Sequence, residues 1–323
     1  MVVVELLEGL VAACPELSLD PEVTVVYRKT PSEKVGLVSG GGSGHEPAHA
    51  GYVGYGMLDA AVAGNVFASP SPDQIIEGIK HASTGKGVLL VIKNYSGDIM
   101  NFTMAKELAE MEGIEVDSVV VRDDVAVEDS TYSAGRRGIA GTVLVHKIAG
   151  AKAEQGASLA EVKAVAEKAI ANIRTMGMAM SSATLPAVGK PNFSIGDDEI
   201  EIGMGIHGEP GIHRSTIMSS REVTRTLLDK VFADHDFDGA EVCVMVNGMG
   251  ATPLMELLIV NKDAHDYLNE KGIKVYKTYV GNYMTSLEMA GCSVTLMKMD
   301  EELKALLDFP AWTPSFKEGA APK

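Results

Sequence analysis

The chain has 323 residues, 46% of them hydrophobic but only 5% aromatic, and a formal net charge of −16 at pH 7. That length accommodates two domains, and cores built from Val, Ile, Leu, Met and Ala suit an α/β protein with many buried strands. The acidic balance, spread along the chain, excludes nucleic acid as the main partner, because phosphate binding needs a basic surface.

Val3–Cys14 reads as an amphipathic opening helix, followed by strands at Thr24–Lys29 and Lys34–Gly40. Leu58–Gly64, Gly87–Asn94 and Ile114–Val121 are apolar, β-branched runs of strand length, separated by helical patterns at Asp73–Ser83 and Gly97–Glu112. Two long helical segments follow, at about Ile139–Gly150 and Ser158–Met176. Short buried strands with helical crossovers imply a largely parallel sheet covered on both faces. Met180–Asp198 is rich in Pro, Gly and small polar residues, so the expected division is an N-terminal domain at 1–183 and a C-terminal one at 184–323. Beyond it a second α/β set appears. Its strands are Glu199–Gly205, Ala240–Asn247, Ile273–Gly281 and Cys292–Met299, with helices around Ser219–Phe232, Thr252–Glu270 and Asp300–Asp308. Each domain is expected to be a mainly parallel or mixed sheet flanked by helices.

Cys14, Cys243 and Cys292 give neither a disulfide framework nor a CxxC pair. No signal peptide and no apolar run of membrane-spanning length is present, so the expected location is the cytoplasm, away from membranes.

Residues 40–51 read GGGSGHEPAHAG, in which His45 to His49 is a literal H-E-x-x-H zinc-peptidase pattern. That pattern needs both histidines on one face of a regular helix. Pro47 has no N–H and belongs at a helix start, which leaves His45 in the preceding loop and His49 in the first turn. A metal site is therefore not expected, and the rival reading as a zinc hydrolase is set aside. What remains is a strand, a glycine loop (Gly42, Ser43 and Gly44 among its residues) and a helix. Such an arrangement lets backbone amides approach a small ligand closely.

A second glycine cluster, Gly203–Gly211, matches G-x-G-x-x-G formally, but Pro210-Gly211 breaks the chain where a dinucleotide-binding helix should begin. Its informative residue is His207, held among glycines just past a strand end and expected to be accessible on most sides. Lys93 and Asn94 end a buried strand and Asp98 opens the next helix. Ligands of α/β proteins sit at the carboxyl ends of strands, so these side chains and His45 are candidates for one crevice. Alone, Asp98 reads as a helix cap, and its neighbourhood is what raises it to a candidate.

The segments at 39–75, 94–102 (NYSGDIMNF) and 201–211 (EIGMGIHGEPG) together resemble the dihydroxyacetone kinase family, specifically its substrate-binding K subunits. The resemblance runs over nearly the whole chain. It implies that His207 captures dihydroxyacetone as a hemiaminal, while His45 and Asp98 hydrogen-bond the substrate hydroxyls and assist proton transfer. Gly42, with its neighbours Ser43 and Gly44, and Lys93 complete the implied substrate pocket. Capture by an imidazole requires a carbonyl, so glycerol is rejected; the imidazole must be neutral, which its unperturbed pKa of about 6.5 allows.

The family's ATP-dependent members carry a helical nucleotide-binding domain downstream, for which the chain up to Lys323 leaves no room. The resemblance therefore implies the phosphotransferase-dependent system. In that system this chain binds no cofactor, a partner L subunit holds ADP and magnesium, an M subunit supplies phosphoryl groups, and the K subunit is a homodimer. The family's longer N-terminal lead is absent before Met1. The alternative is a non-catalytic dihydroxyacetone-binding regulator acting on a transcription factor. Such a regulator needs the capturing histidine but not a proton acceptor.

Overall fold

The computed structural model describes residues 2–127 and 135–320. The chain packs as two α/β units. One takes Met1–Val121, Thr142–Ile170 and Glu302–Lys323; the other takes Arg122–Gly141 and Ala171–Glu301.

In chain order the first unit begins with α1 (Val2–Ala13), β1 (Leu17–Asp20), β2 (Val25–Arg28), β3 (Gly36–Ser43), β4 (Ala60–Val66), α2 (Pro72–Ala82), β5 (Val88–Lys93), α3 (Ser96–Met111) and β6 (Val116–Val121). It resumes with α4 (Thr142–Glu154) and α5 (Leu159–Asn172). Its six strands lie in the order β1-β2-β4-β3-β5-β6. The β4-β3-β5-β6 block is parallel, with β2 and β1 added antiparallel at one edge. β5 is buried at every position, and its side chains alternate between faces. Val88, Leu90 and Ile92 join Ile75, Ile79 and Phe102 in a core under α2 and α3. Burial of each such side chain contributes about 1.5–3 kcal/mol. Leu89, Val91 and Lys93 take the other face. Ser71, Pro72 and Gln74 form a capping box with proline at the helix start, which fixes where α2 begins.

The second unit holds β7 (Ile173–Ala179), the two-residue pair β8 (Thr184–Leu185) and β9 (Lys190–Pro191), β10 (Glu199–Ile202), β11 (His213–Thr216), α6 (Ser220–Asp234), β12 (Glu241–Gly248), α7 (Leu254–Glu270), β13 (Lys274–Gly281) and β14 (Gly291–Met299). The chain then forms α8 (Glu301–Asp308) and the short pair β15 (Ala311–Trp312) and β16 (Lys317–Glu318), which belong with the first unit. The second sheet runs β11-β10-β7-β14-β12-β13. Only β12–β13 is parallel, so this sheet is mixed and mainly antiparallel rather than parallel. Met176, Leu227, Val244, Leu257 and Leu296 pack its core.

Two expectations need correction. The division at 183/184 does not follow the packing, because β7 pairs with β10 and β14 and so draws residues 171–183 into the second unit. The Pro/Gly-rich stretch after it is a loop with a small hairpin. The helix expected to run to Met176 ends at Asn172, and the chain passes directly into β7 with no residue between the two elements. No helix among the described residues is long and apolar enough to cross a membrane.

Candidate functional site

In the first unit the candidates gather at the ends of β3 and β5 and the start of α3. The 40–44 glycine stretch is not a loop, because β3 continues through it to Ser43, paired with β4. Nor does a helix begin at Pro47; the chain turns and makes only a 3-10 helix, Ala50–Tyr52. Gly41 explains part of the glycine content. It sits at φ 146°, and a Cβ there would run into Lys93 Nζ beside Asp98 Oδ2.

Lys93 is buried; its Nζ donates to Gly40 O at 3.1 Å and lies 2.9 Å from His49 Nε2 and 3.6 Å from Asp98 Oδ2. Burial lowers its pKa, and Asp98 opposes that shift. Asp98 is buried in the first turn of α3, where the helix dipole favours a carboxylate. Its second oxygen accepts from Ser69 Oγ. The carboxylate is thus spent on Ser69 and Lys93 and caps nothing.

His45 is fully buried in the turn after β3, its ring stacked on Phe67 at 5.1 Å between centroids. Ser43 Oγ donates to Gly64 O at 2.7 Å and Gly44 N donates to Glu46 Oε1 at 2.9 Å, so both polar groups are engaged within the fold. Gly42 lies against the Phe67–Ala68 backbone, too close for a side chain. His49 has its Nδ1 3.1 Å from His146 Nε2, and its Nε2 faces the Lys93 ammonium, which repels a metal cation from that nitrogen. Among the described residues no group of three or more His, Cys, Asp or Glu side chains is placed to hold a metal. Burial, then Lys93, holds His49 well below the ordinary histidine value and His146 at about 3.

In the second unit His207 sits in the turn after β10 with its side chain 18% exposed, less accessible than expected. Glu209 clamps it. His207 N donates to Glu209 Oε2 at 2.9 Å, and Nδ1 lies 2.8 Å from Oε1. Asn192 Nδ2 holds the His207 carbonyl at 2.8 Å. Burial pushes the Glu209 carboxyl up, but His207 and Arg137 outweigh it and bring it to about 2. Arg137 is itself buried, donating to Asp124 Oδ2 at 2.7 Å and to Gly203 O at 2.8 Å. A Cβ on Gly205 would collide with the Glu209 carboxylate and the Arg137 guanidinium. That collision, rather than a dinucleotide, accounts for this glycine.

The structure thus brings Gly41, Lys93, Asp98 and Ser69 together, places His45 in the turn that follows β3, and sets His207 in the other unit. Sequence reasoning missed Ser69, His146, Arg137 and Glu209. Glu209 alone had a visible signal, an acid two residues after the glycine-flanked histidine.

Fold and side chains define a class: a two-unit α/β protein with imidazole and carboxylate groups held in fixed geometry. The chain belongs to the Dak1 domain family, which it matches over residues 8–315. It is 56% identical to the PTS-dependent dihydroxyacetone kinase 1, dihydroxyacetone-binding subunit DhaK, of Listeria innocua, over 96% of this chain and 97% of that protein. To the corresponding subunit of Lactococcus lactis it is 54% identical, over 93% of this chain and 92% of that one. A solved structure of the dihydroxyacetone kinase operon co-activator Dha-DhaQ matches it with a TM-score of 0.92 at 37% identity, covering 98% of each chain.

Proposed function

We propose that this chain is the dihydroxyacetone-binding subunit of a phosphotransferase-dependent dihydroxyacetone kinase, working in the cytoplasm as a homodimer. The observation that carries the reading is the His207–Glu209 clamp. Glu209 Oε1 accepts the Nδ1 proton, which assigns the imidazole the tautomer with its lone pair on Nε2. Nε2 adds to the carbonyl carbon of dihydroxyacetone as the C=O π bond opens. The alkoxide so formed takes up one proton from solvent as the Nδ1 proton is released to solvent past Glu209, which stays a carboxylate, so the charges balance and the hemiaminal is neutral.

Asp98 accepts the proton of the hydroxyl that is phosphorylated, while Lys93, Ser69 and His45 hold polar groups in place. The phosphoryl group comes from a partner L subunit that holds ADP and magnesium and is recharged by an M subunit. Identity to a dihydroxyacetone-binding subunit along 97% of that protein supports the reading.

The match to a co-activator favours a second reading, in which the chain binds dihydroxyacetone and acts on a transcription factor without phosphorylating it. One experiment separates the two. The purified chain is mixed with L and M subunits, phosphoenolpyruvate and the general phosphotransferase proteins, and dihydroxyacetone phosphate is followed. Formation dependent on this chain is expected; an adduct without turnover would leave the regulatory reading in its place.

A further inference from the structure

Behind the Lys93–Asp98 pair lie two buried imidazoles, His49 and His146, that the chemistry above does not use. His49 is 6% exposed, His146 0% and Lys93 1%. Lys93 Nζ is 2.9 Å from His49 Nε2, and His49 Nδ1 is 3.1 Å from His146 Nε2. Valence fixes the direction of these bonds. An ammonium has three donors and no acceptor, so His49 must present the Nε2 lone pair and carry its proton on Nδ1. That proton points at His146 Nε2, which leaves His146 with its own proton on Nδ1. His146 Nδ1 is buried without a hydrogen-bond partner among the described residues. The run from Lys93 to His146 therefore ends at a buried nitrogen among the described residues.

What the run does supply is an acceptor. The three N–H groups of Lys93 face three acceptors: Gly40 O at 3.1 Å, His49 Nε2 at 2.9 Å and Asp98 Oδ2 at 3.6 Å. The carbonyl and the imidazole are fixed by the sheet and by α4, so the third donor is aimed at Asp98. We propose that His49, its tautomer locked by His146, is a positioning residue that holds Lys93 as an ammonium directed at Asp98 and so sets the alkaline limit of turnover. The inference rests on reading Asp98 as the proton acceptor.

Burial works against a charged Lys93, and Asp98 works for it. A neutral acceptor at 2.9 Å supports the charge without adding a competing one. The other groups facing this run are His45, which acts on His49, and Tyr52, whose ring lies 6.3 Å from that of His146. Ser39 Oγ donates to Val91 O and, 3.4 Å from His49 Nδ1, offers that proton a longer second acceptor beside His146.

The first test uses the intact wild-type chain. With histidine labelled in ¹⁵N, long-range proton–nitrogen spectra should show His49 and His146 neutral and protonated on Nδ1 from about pH 8 down to about pH 5.5, below the ordinary histidine value. A His49 protonated on Nε2 overturns the proposal, and this readout does not depend on any activity. The second test compares His49→Leu with His49→Gln in the reconstituted phosphorylation. Leu removes the acceptor, whereas the Gln amide oxygen can take the place of Nε2. In His49→Leu, kcat should fall about tenfold, with KM within about twofold and the His207 adduct still forming. The alkaline limb of its rate profile should move down by about one pH unit, because the ammonium is lost earlier. His49→Gln should restore the profile. Equal behaviour of the two variants assigns His49 a packing role only and overturns the proposal. A wild-type chain that phosphorylates nothing would sink the functional reading instead, and the tautomer measurement would still decide this one.

Discussion

Asp98, beside Lys93, and Glu209, beside His207 and Arg137, are both buried acids, and the same acid-to-amide change tests a different role in each. Asp98→Asn keeps the shape and removes the proton acceptor, so dihydroxyacetone should still be captured while turnover falls about 10²–10⁴-fold. A near-normal rate would reduce Asp98 to a structural partner of Ser69 and Lys93. Glu209→Gln keeps a hydrogen bond to the His207 ring but no longer dictates its tautomer. Adduct formation should then slow by at least about tenfold, as when the orienting carboxylate of a triad is neutralised. Stopped-flow trapping of the adduct measures it, and an unchanged rate would remove Glu209 from the chemistry. Sequence reading reached Lys93 and Asp98 because a strand end and a helix start are visible in hydrophobic period and spacing. Arg137, Ser69 and His146 reach their partners only through the fold, from positions with no motif of their own, so no local pattern could have named them.

At the scale of elements, the glycines of β3 and the start of β7 fold differently from what their local sequence suggests. A run of glycines signals a loop because glycine loses most conformational entropy in a strand. Here the strand carries them because neighbouring groups fill the space a side chain would take, and that is tertiary information. Gly41→Ala should therefore cost about 1–3 kcal/mol through its positive φ, and should displace Lys93 as well. Gly9, in the exposed part of α1 with nothing within 4 Å of where a Cβ would stand, is the control, and Gly9→Ala should stabilise by about 0.5–1 kcal/mol. Urea midpoints of the two variants check both signs; a Gly41→Ala midpoint at or above wild type would contradict the close approach. β7 is hidden for another reason. α5 ends on Asn172 and Ile173–Ala179 follows with no residue between them, so a single Asn within an otherwise continuous pattern does not say where the period changes.

For the molecule as a whole, acid should act on the two units in different windows. Burial, with Lys93 adding to it, holds His146 at about 3 in the fold, against about 6.5 in an unfolded chain. Its folded value is the lower one, so the stabilising effect is complete above about pH 6.5 and is lost as pH falls toward about 3. The Glu209 contribution is complete above about pH 4.5 and is lost as pH falls through about 2. The first unit should weaken earlier, by about 1.4 kcal/mol per pH unit below about 6.5 for one such histidine. Trp312, the single tryptophan, belongs to that unit and reports on it. Its urea midpoint should fall between about pH 6.5 and pH 5, and His146→Gln should flatten the fall; a wild-type midpoint flat across that window contradicts the account. The general outline, two α/β units with a glycine-flanked histidine in the second, was legible from composition and period, whereas the interleaving of the units followed from strand pairings that no local signal encodes. The central claim is capture of a carbonyl by one side chain. Intact-protein mass spectrometry after rapid trapping, followed by peptide mapping, tests it most directly. One dihydroxyacetone per chain on the peptide containing His207, absent in a folded His207→Ala variant and absent with glycerol, is the result this account predicts. An adduct that survives in His207→Ala, or that maps to Lys93 as a Schiff base, would contradict it.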